Sequence, residues 1–194
     1  MRPTPYKVLL AELLLRKTRA ADADRVFPTL LRLYPTPRAL ASANTRDLRR
    51  LIGPIGLPAR ARTFVELGQR LVDDHGGKVP DTREALVQLP GVGPYAAGAI
   101  LAIGFRRPAP MVDGPTGRVL TRLAGIRDNG RAPYYDKRVW ALAERLLPAD
   151  GVREYQLALL DLAALLCRPK TPLCSACPLS NICSHASGRQ GVTG

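Results

Sequence analysis

Apolar residues recur along this chain at three- and four-residue spacing and nowhere in convincing alternation. That period belongs to helices packed on one face. Val8 to Thr18 is an apolar run interrupted by Glu12, and Ala21 to Leu33 places Val26, Leu30 and Leu31 at helical spacing before Tyr34-Pro35 stops it. Thr36-Pro37 reads as a cap followed by proline at the first helical position. Thr45 is read as the cap of a short helix, Arg46 to Ile52, ended by Gly53-Pro54. Pro58 to Asp74 puts Ala61, Phe64, Leu67 and Leu71 on one stripe, and Gly76-Gly77 ends it. Asp81 to Glu84 has capping-box spacing and opens a helix from Thr82 to Leu89. After Pro90-Gly91-Val92-Gly93 a helix restarts at Pro94 and runs to about Phe105.

Arg106-Arg107-Pro108 interrupts the helices, and a second group follows: Pro115 to Leu123, Asp136 to Leu147, and Arg153 to Cys167. In the middle one Val139, Trp140, Ala143 and Leu147 face inward. No internal repeat is found. The pattern predicts an all-α fold in two helical domains, 1–108 and 109–187, with a polar tail at 188–194.

Composition changes the picture in one respect. Lysine and arginine number 29 against 16 acids, for a formal charge of +13, while 46% hydrophobic residues can build a core. Only five are lysines, which leaves 24 arginines. A folded chain with that excess points to a polyanion, nucleic acid or an anionic membrane surface; a soluble enzyme from an arginine-rich proteome carries the same charge. No uncharged apolar stretch approaches the ~20 residues of a spanning helix, and the start, Met1 to Ala20, lacks a cleavage site. The expected location is cytoplasmic and nucleoid-associated, a reducing compartment where structural disulfides are rare.

Two features carry chemistry. Leu89-Pro-Gly-Val-Gly-Pro-Tyr95 joins two helices through a turn with two glycines, and the amides opening the second helix make an anion site that a DNA phosphate fits. All four cysteines, Cys167, Cys174, Cys177 and Cys183, lie in the last 28 positions with spacing C-x6-C-x2-C-x5-C. Four thiolates suit zinc or an iron–sulfur cluster, and spacing by itself does not separate them.

These motifs resemble the helix-hairpin-helix DNA glycosylases of the endonuclease III type. The resemblance runs through Ala11-Glu-Leu-Leu-Leu-Arg-Lys-Thr18, the Ile55-Gly56-Leu57 loop, the hairpin, Met111-Val-Asp-Gly114 and the cysteine tail. It implies that Gly91 and Gly93 shape a hairpin gripping the DNA backbone, with the carbonyls of Leu89 and Val92 able to hold a monovalent cation. It implies a [4Fe–4S] cluster on the four cysteines, in a loop whose Arg168 and Lys170 meet phosphates. Asp113 matches the family's catalytic aspartate. A carboxylate there stabilises the cation that forms on the deoxyribose as the N-glycosidic bond breaks, or activates the attacking water; the plainer reading is a helix cap. Tyr95 stands where bifunctional members carry a lysine, and a phenol cannot form their Schiff base, so a monofunctional enzyme is implied. Arg16 and Lys17 resemble the plug that fills the hole left by the flipped base, and Leu57 a wedge from the opposite loop.

Glu12, Tyr95 and the Met-Val-Asp run resemble the compact G/T and G/U mismatch glycosylases, as does Gly76-Gly-Lys-Val-Pro80. The implied substrate is thymine or uracil opposite guanine, with Glu12 bonding the flipped pyrimidine or the water. Adenine glycosylases acting on A/G or A opposite 8-oxoguanine share Glu12 and an Ala-Gly-Ala-Ile run like Ala97-Gly-Ala-Ile100. The chain extends 11 residues past Cys183, so their opposite-base reader is not expected. Val112-Asp-Gly-Pro-Thr-Gly-Arg118 departs from the family in its glycines and proline. His75 and His185 are read as structural or surface groups. The implied partner is double-stranded DNA, bound by a monomer in a cleft between the two domains, with no membrane; a catalytically inactive DNA-binding relative and a zinc-dependent regulator are the competing readings.

Overall fold

The computed structural model describes residues 3–16, 18–127 and 129–188. The described residues contain helices and no strand, as the periodicity predicts. They form two compact units, Met1–Phe105 and Arg106–Gly194.

The first unit holds α1 (Pro5–Leu15), α2 (Ala20–Leu33), α3 (Pro37–Ala41), α4 (Thr45–Ile52), α5 (Ala61–His75), α6 (Arg83–Leu86) and α7 (Pro94–Ala99). Leu9, Leu10 and Leu14 of α1 are fully buried with Leu30, Leu48, Phe64 and Leu71. Each leucine-sized side chain removed from water contributes about 1.5–3 kcal/mol, so this leucine-rich interior is the principal stabilising term of the unit. The stripe Ala61, Phe64, Leu67 and Leu71 is buried throughout. Beside it Gly68 lets α5 lie directly on α3, since a Cβ there would sit 2.4 Å from Ala41 N.

Helix ends differ from the sequence reading in instructive ways. The first helix starts at Pro5, with Thr4 accepting from Lys7 N, rather than at Val8. Asn44, not Thr45, caps α4 by accepting from Arg46 N at 2.8 Å. Where the spacing suggests a capping box from Asp81 to Glu84 and a helix to Leu89, Thr82 is the cap, its hydroxyl accepting from Ala85 N, and α6 ends at Leu86. Thr4, Asn44 and Thr82 all have the extended backbone of a cap. Pro58–Arg60 is a 3₁₀ turn ahead of α5, and α7 continues as a π-helix over Ile100–Phe105.

The second unit holds α8 (Gly114–Ala124), α9 (Lys137–Arg145) and α10 (Val152–Leu165), followed by an irregular cysteine loop. Val112, Leu120, Val139 and Ala143 form its core, with Trp140 packed against them. The close approach at Gly117, where a Cβ would lie 2.5 Å from Pro133 Cβ, brings the 133–135 turn onto α8. Among the described residues no helix is long and apolar enough to cross a membrane.

Candidate active site and cysteine loop

In the first unit the hairpin is pinned from inside. Leu89 and Val92 are buried, and Val92 N donates to Leu89 O at 3.1 Å across the turn. The Leu89 carbonyl expected to face a cation therefore already accepts one amide. Gly91 sits at φ +81°, and a Cβ there would meet Thr63 Cγ2 at 3.1 Å and Leu13 Cγ at 3.6 Å. Gly93 is extended, caps α7, and has no atom within 4 Å of where its Cβ would be. Gly91→Ala combines a left-handed backbone with a tight contact and is expected to cost about 1–2 kcal/mol of folding stability. Denaturant unfolding measures it; an unchanged midpoint would show that the turn relaxes freely.

Glu12 and Tyr95 are half-buried on α1 and α7, which pack against each other. Glu12 is thus not the solvent-facing helix glutamate of the plainer reading. Arg16 is exposed, and its guanidinium donates to Gly91 O at 2.9 Å, which ties the end of α1 to the hairpin. Arg60 donates to Leu13 O at 2.9 Å, and its pKa is lowered by burial and then by the neighbouring Arg16 charge. Lys17 lies outside the described residues. Leu57 corrects an expectation: it is 5% exposed, packed inside the unit by the turns on either side, and is not presented as a wedge.

In the second unit Asp113 precedes α8 and caps it. Its Oδ1 accepts from Thr116 N at 2.7 Å, while Asp113 N donates to Thr116 Oγ1 at 3.0 Å. Oδ2 takes no hydrogen bond among the described residues. The carboxylate is held by one oxygen at the head of a helix. The helix-cap reading of Asp113 is thus what the geometry shows, and it leaves the residue available for the chemical role that the sequence suggests. Met111 and Val112 are buried just before it, so the segment has a rigid base.

The four cysteines are free thiols, all half-buried. They line one pocket with Val119, Leu123, Leu162, Leu166 and Leu173, next to Arg122. No three His, Cys, Asp or Glu side chains among the described residues stand close enough to hold a single metal ion. The loop is fastened to α8 by two arginines one helical turn apart. Arg118 donates to Cys167 O and Ala163 O, both at 2.9 Å. Arg122 donates to Arg168 O at 2.7 Å and Pro169 O at 2.6 Å, and lies 3.5 Å from Cys167 Sγ. The far end of the loop returns to the same helix, with Ser184 N on Leu123 O and His185 N on Arg122 O. Arg168 and Lys170 are exposed beside it.

Residues 10–147 match the HhH-GPD superfamily of base excision DNA repair proteins. The chain belongs to that superfamily. It is 39% identical over 184 residues to the thymine-DNA glycosylase of Aeropyrum pernix, covering 93% of this chain and 82% of that one. It is 36% identical over 176 residues to the adenine DNA glycosylase of Mycobacterium tuberculosis, covering 91% of this chain and 58% of that one. A solved structure of a thermostable thymine-DNA glycosylase superposes with a TM-score of 0.86 at 33% identity, over 95% of this chain and 85% of the other.

The HhH-GPD match ends before the cysteine loop, so Arg118 and Arg122 are where the matched helices meet it. Sequence reasoning missed both arginines, and also Thr116. Their signals were present: two arginines four apart on one helix, and an Asp-x-x-Thr spacing at a helix start.

Proposed function

We propose that this chain is a monofunctional DNA glycosylase that releases thymine or uracil opposite guanine from double-stranded DNA by hydrolysis of the N-glycosidic bond. The observation that carries the reading is Asp113, a carboxylate fixed through one oxygen at the start of α8, its second oxygen taking no hydrogen bond among the described residues. As the bond breaks, the base departs with the electron pair and positive charge develops on the sugar. A fixed negative group stabilises that charge without reorganising, and accepts the proton of the water that adds to the sugar carbon. Tyr95 offers no amine, so no imine links enzyme to sugar and the strand stays intact. Half-buried Glu12 is suited to hydrogen-bond the base edge or the water. Arg16 on the hairpin carbonyl, with exposed Arg168 and Lys170, supplies charge for phosphates, so binding weakens steeply with salt.

The cysteine loop is proposed to hold a [4Fe–4S] cluster. In support, four thiols line one largely apolar pocket, a soft donor set of the kind that iron–sulfur clusters take. Bound there, the cluster would hold a loop that has little helix of its own, with Arg122 beside Cys167 Sγ offsetting the ligand's negative charge.

The test uses purified protein on duplexes holding G/T, G/U, A/G and A opposite 8-oxoguanine, each with and without alkali. Strand breaks at G/T and G/U only after alkali are expected. Breaks without alkali, trapped by borohydride, would remove the monofunctional assignment. Cutting confined to the adenine duplexes would assign the adenine reading, which the Ala97–Ile100 run and the mycobacterial relative favour. Binding with no release on any duplex would leave a DNA-binding relative.

A further inference from the structure

We propose that Thr116 is a positioning residue for base release: its hydroxyl donates to Asp113 Oδ1, committing that oxygen to the helix cap and reserving Oδ2 for the reaction. The inference rests on Asp113 being the carboxylate that assists release.

The proton on Thr116 Oγ1 has two acceptors within reach, Asp113 Oδ1 at 2.7 Å and Met111 O at 3.1 Å. The side facing Asp113 N is closed to it, because that amide donates into Oγ1 at 3.0 Å. Were the proton on Met111 O, two oxygens carrying only lone pairs would face each other at 2.7 Å. A carboxylate oxygen is also the stronger acceptor, and short O–H···O⁻ contacts are its signature. The hydroxyl therefore donates to Oδ1.

Oδ1 then receives two donors from one residue, Thr116 N and Thr116 Oγ1, both at 2.7 Å. Turning the carboxylate about its Cβ–Cγ bond breaks both at once. Thr116 itself is 0% exposed, so solvent cannot replace the lost donor. Two convergent bonds in a dry setting fix the plane of the carboxylate, which is the preorganisation that a group acting on transient charge requires. An ordinary capping aspartate needs only the amide. The added hydroxyl is what makes the two oxygens unequal.

The experiment is single-turnover base release by full-length wild type, Thr116→Val, Thr116→Ser and Asp113→Asn on the duplex that wild type processes, with duplex affinity and melting temperature measured in parallel. Thr116→Val keeps the shape and loses the hydroxyl, and is expected to slow release about 10- to 100-fold, as small misplacements do, with affinity unchanged. Thr116→Ser is expected to restore the rate to within about 3-fold, since the hydroxyl returns. Wild-type release by Thr116→Val beside an inactive Asp113→Asn would overturn the role of Thr116 and leave that of Asp113. Parallel loss of rate, affinity and melting temperature in both Thr116 variants would make the residue purely structural and overturn the proposal as well. Full activity of Asp113→Asn would overturn the reading beneath it.

Discussion

Asp113→Asn is expected to lower base release by about 10³-fold or more while duplex binding and folding stay close to wild type. The reasoning is local. Asparagine is as good a helix cap as aspartate, and its carbonyl oxygen can take the place of Oδ1 in the bonds from Thr116 N and Oγ1. The start of α8 and the buried Met111-Val112 segment behind it are therefore preserved. What disappears is the negative charge, and with it the stabilisation of the sugar cation. The geometry also fixes which way the amide points: its NH₂ takes the position of Oδ2, placing donors where the reaction needs an acceptor. Single-turnover kinetics, a binding isotherm and a melting curve on the same preparation check the prediction. A variant that loses binding along with release would mean that Asp113 serves the DNA interface or the fold instead.

The second large effect is expected at the cysteines. Cys174→Ala removes one of four thiols from a pocket walled mainly by leucines, with Arg122 and His185 beside them. The loop from Cys167 to Cys183 contains only a single 3₁₀ turn, and it is joined to α8 chiefly through Arg118, Arg122 and two backbone bonds. If the loop detaches, those guanidiniums lose their carbonyls together and the apolar pocket wall is exposed. A loss of about 2–3 kcal/mol is a modest expectation for a folded metal loop, and for a unit of this size it lowers the melting temperature by roughly 10–20 °C. The protein should also lose the broad visible absorption of iron–thiolate centres. Colourless wild-type protein carrying stoichiometric zinc would replace the cluster with the zinc reading.

How legible was this molecule in its sequence? The helical period placed the main helices, and the buried stripe of α5 is the one that its spacing names. Short elements were harder. Thr82 caps α6 and Asn44 caps α4, each beside another residue able to cap, a choice that residue type alone does not make. The π-helix after Ala99 has no local signature among its apolar residues. Leu57 reads equally well as wedge or core in one dimension, and burial decides for core. Arg16 resembles a plug in sequence, and the structure adds a bond to the carbonyl of Gly91, 75 positions away. Long-range bonds of that kind, like those from Arg118 and Arg122 to the cysteine loop, leave no trace in periodicity. The candidate chemistry was more legible than the contacts that support it, because a cysteine spacing or an aspartate before a helix is local, whereas its supporting donors are not.

The two glycines of the hairpin make a final point about selection. Gly91 is demanded by the protein's own interior, through its left-handed backbone and the nearness of Thr63 and Leu13. Gly93 satisfies no such internal demand: its backbone suits any residue, and open space surrounds the missing Cβ. Under a screen for folding, position 93 would drift and position 91 would not. Under a screen for repair in living cells the proposed function expects both to be held, with a phosphate backbone approaching over Gly93. The difference between those two tolerance maps, taken position by position, would trace the DNA footprint without a complex ever being solved.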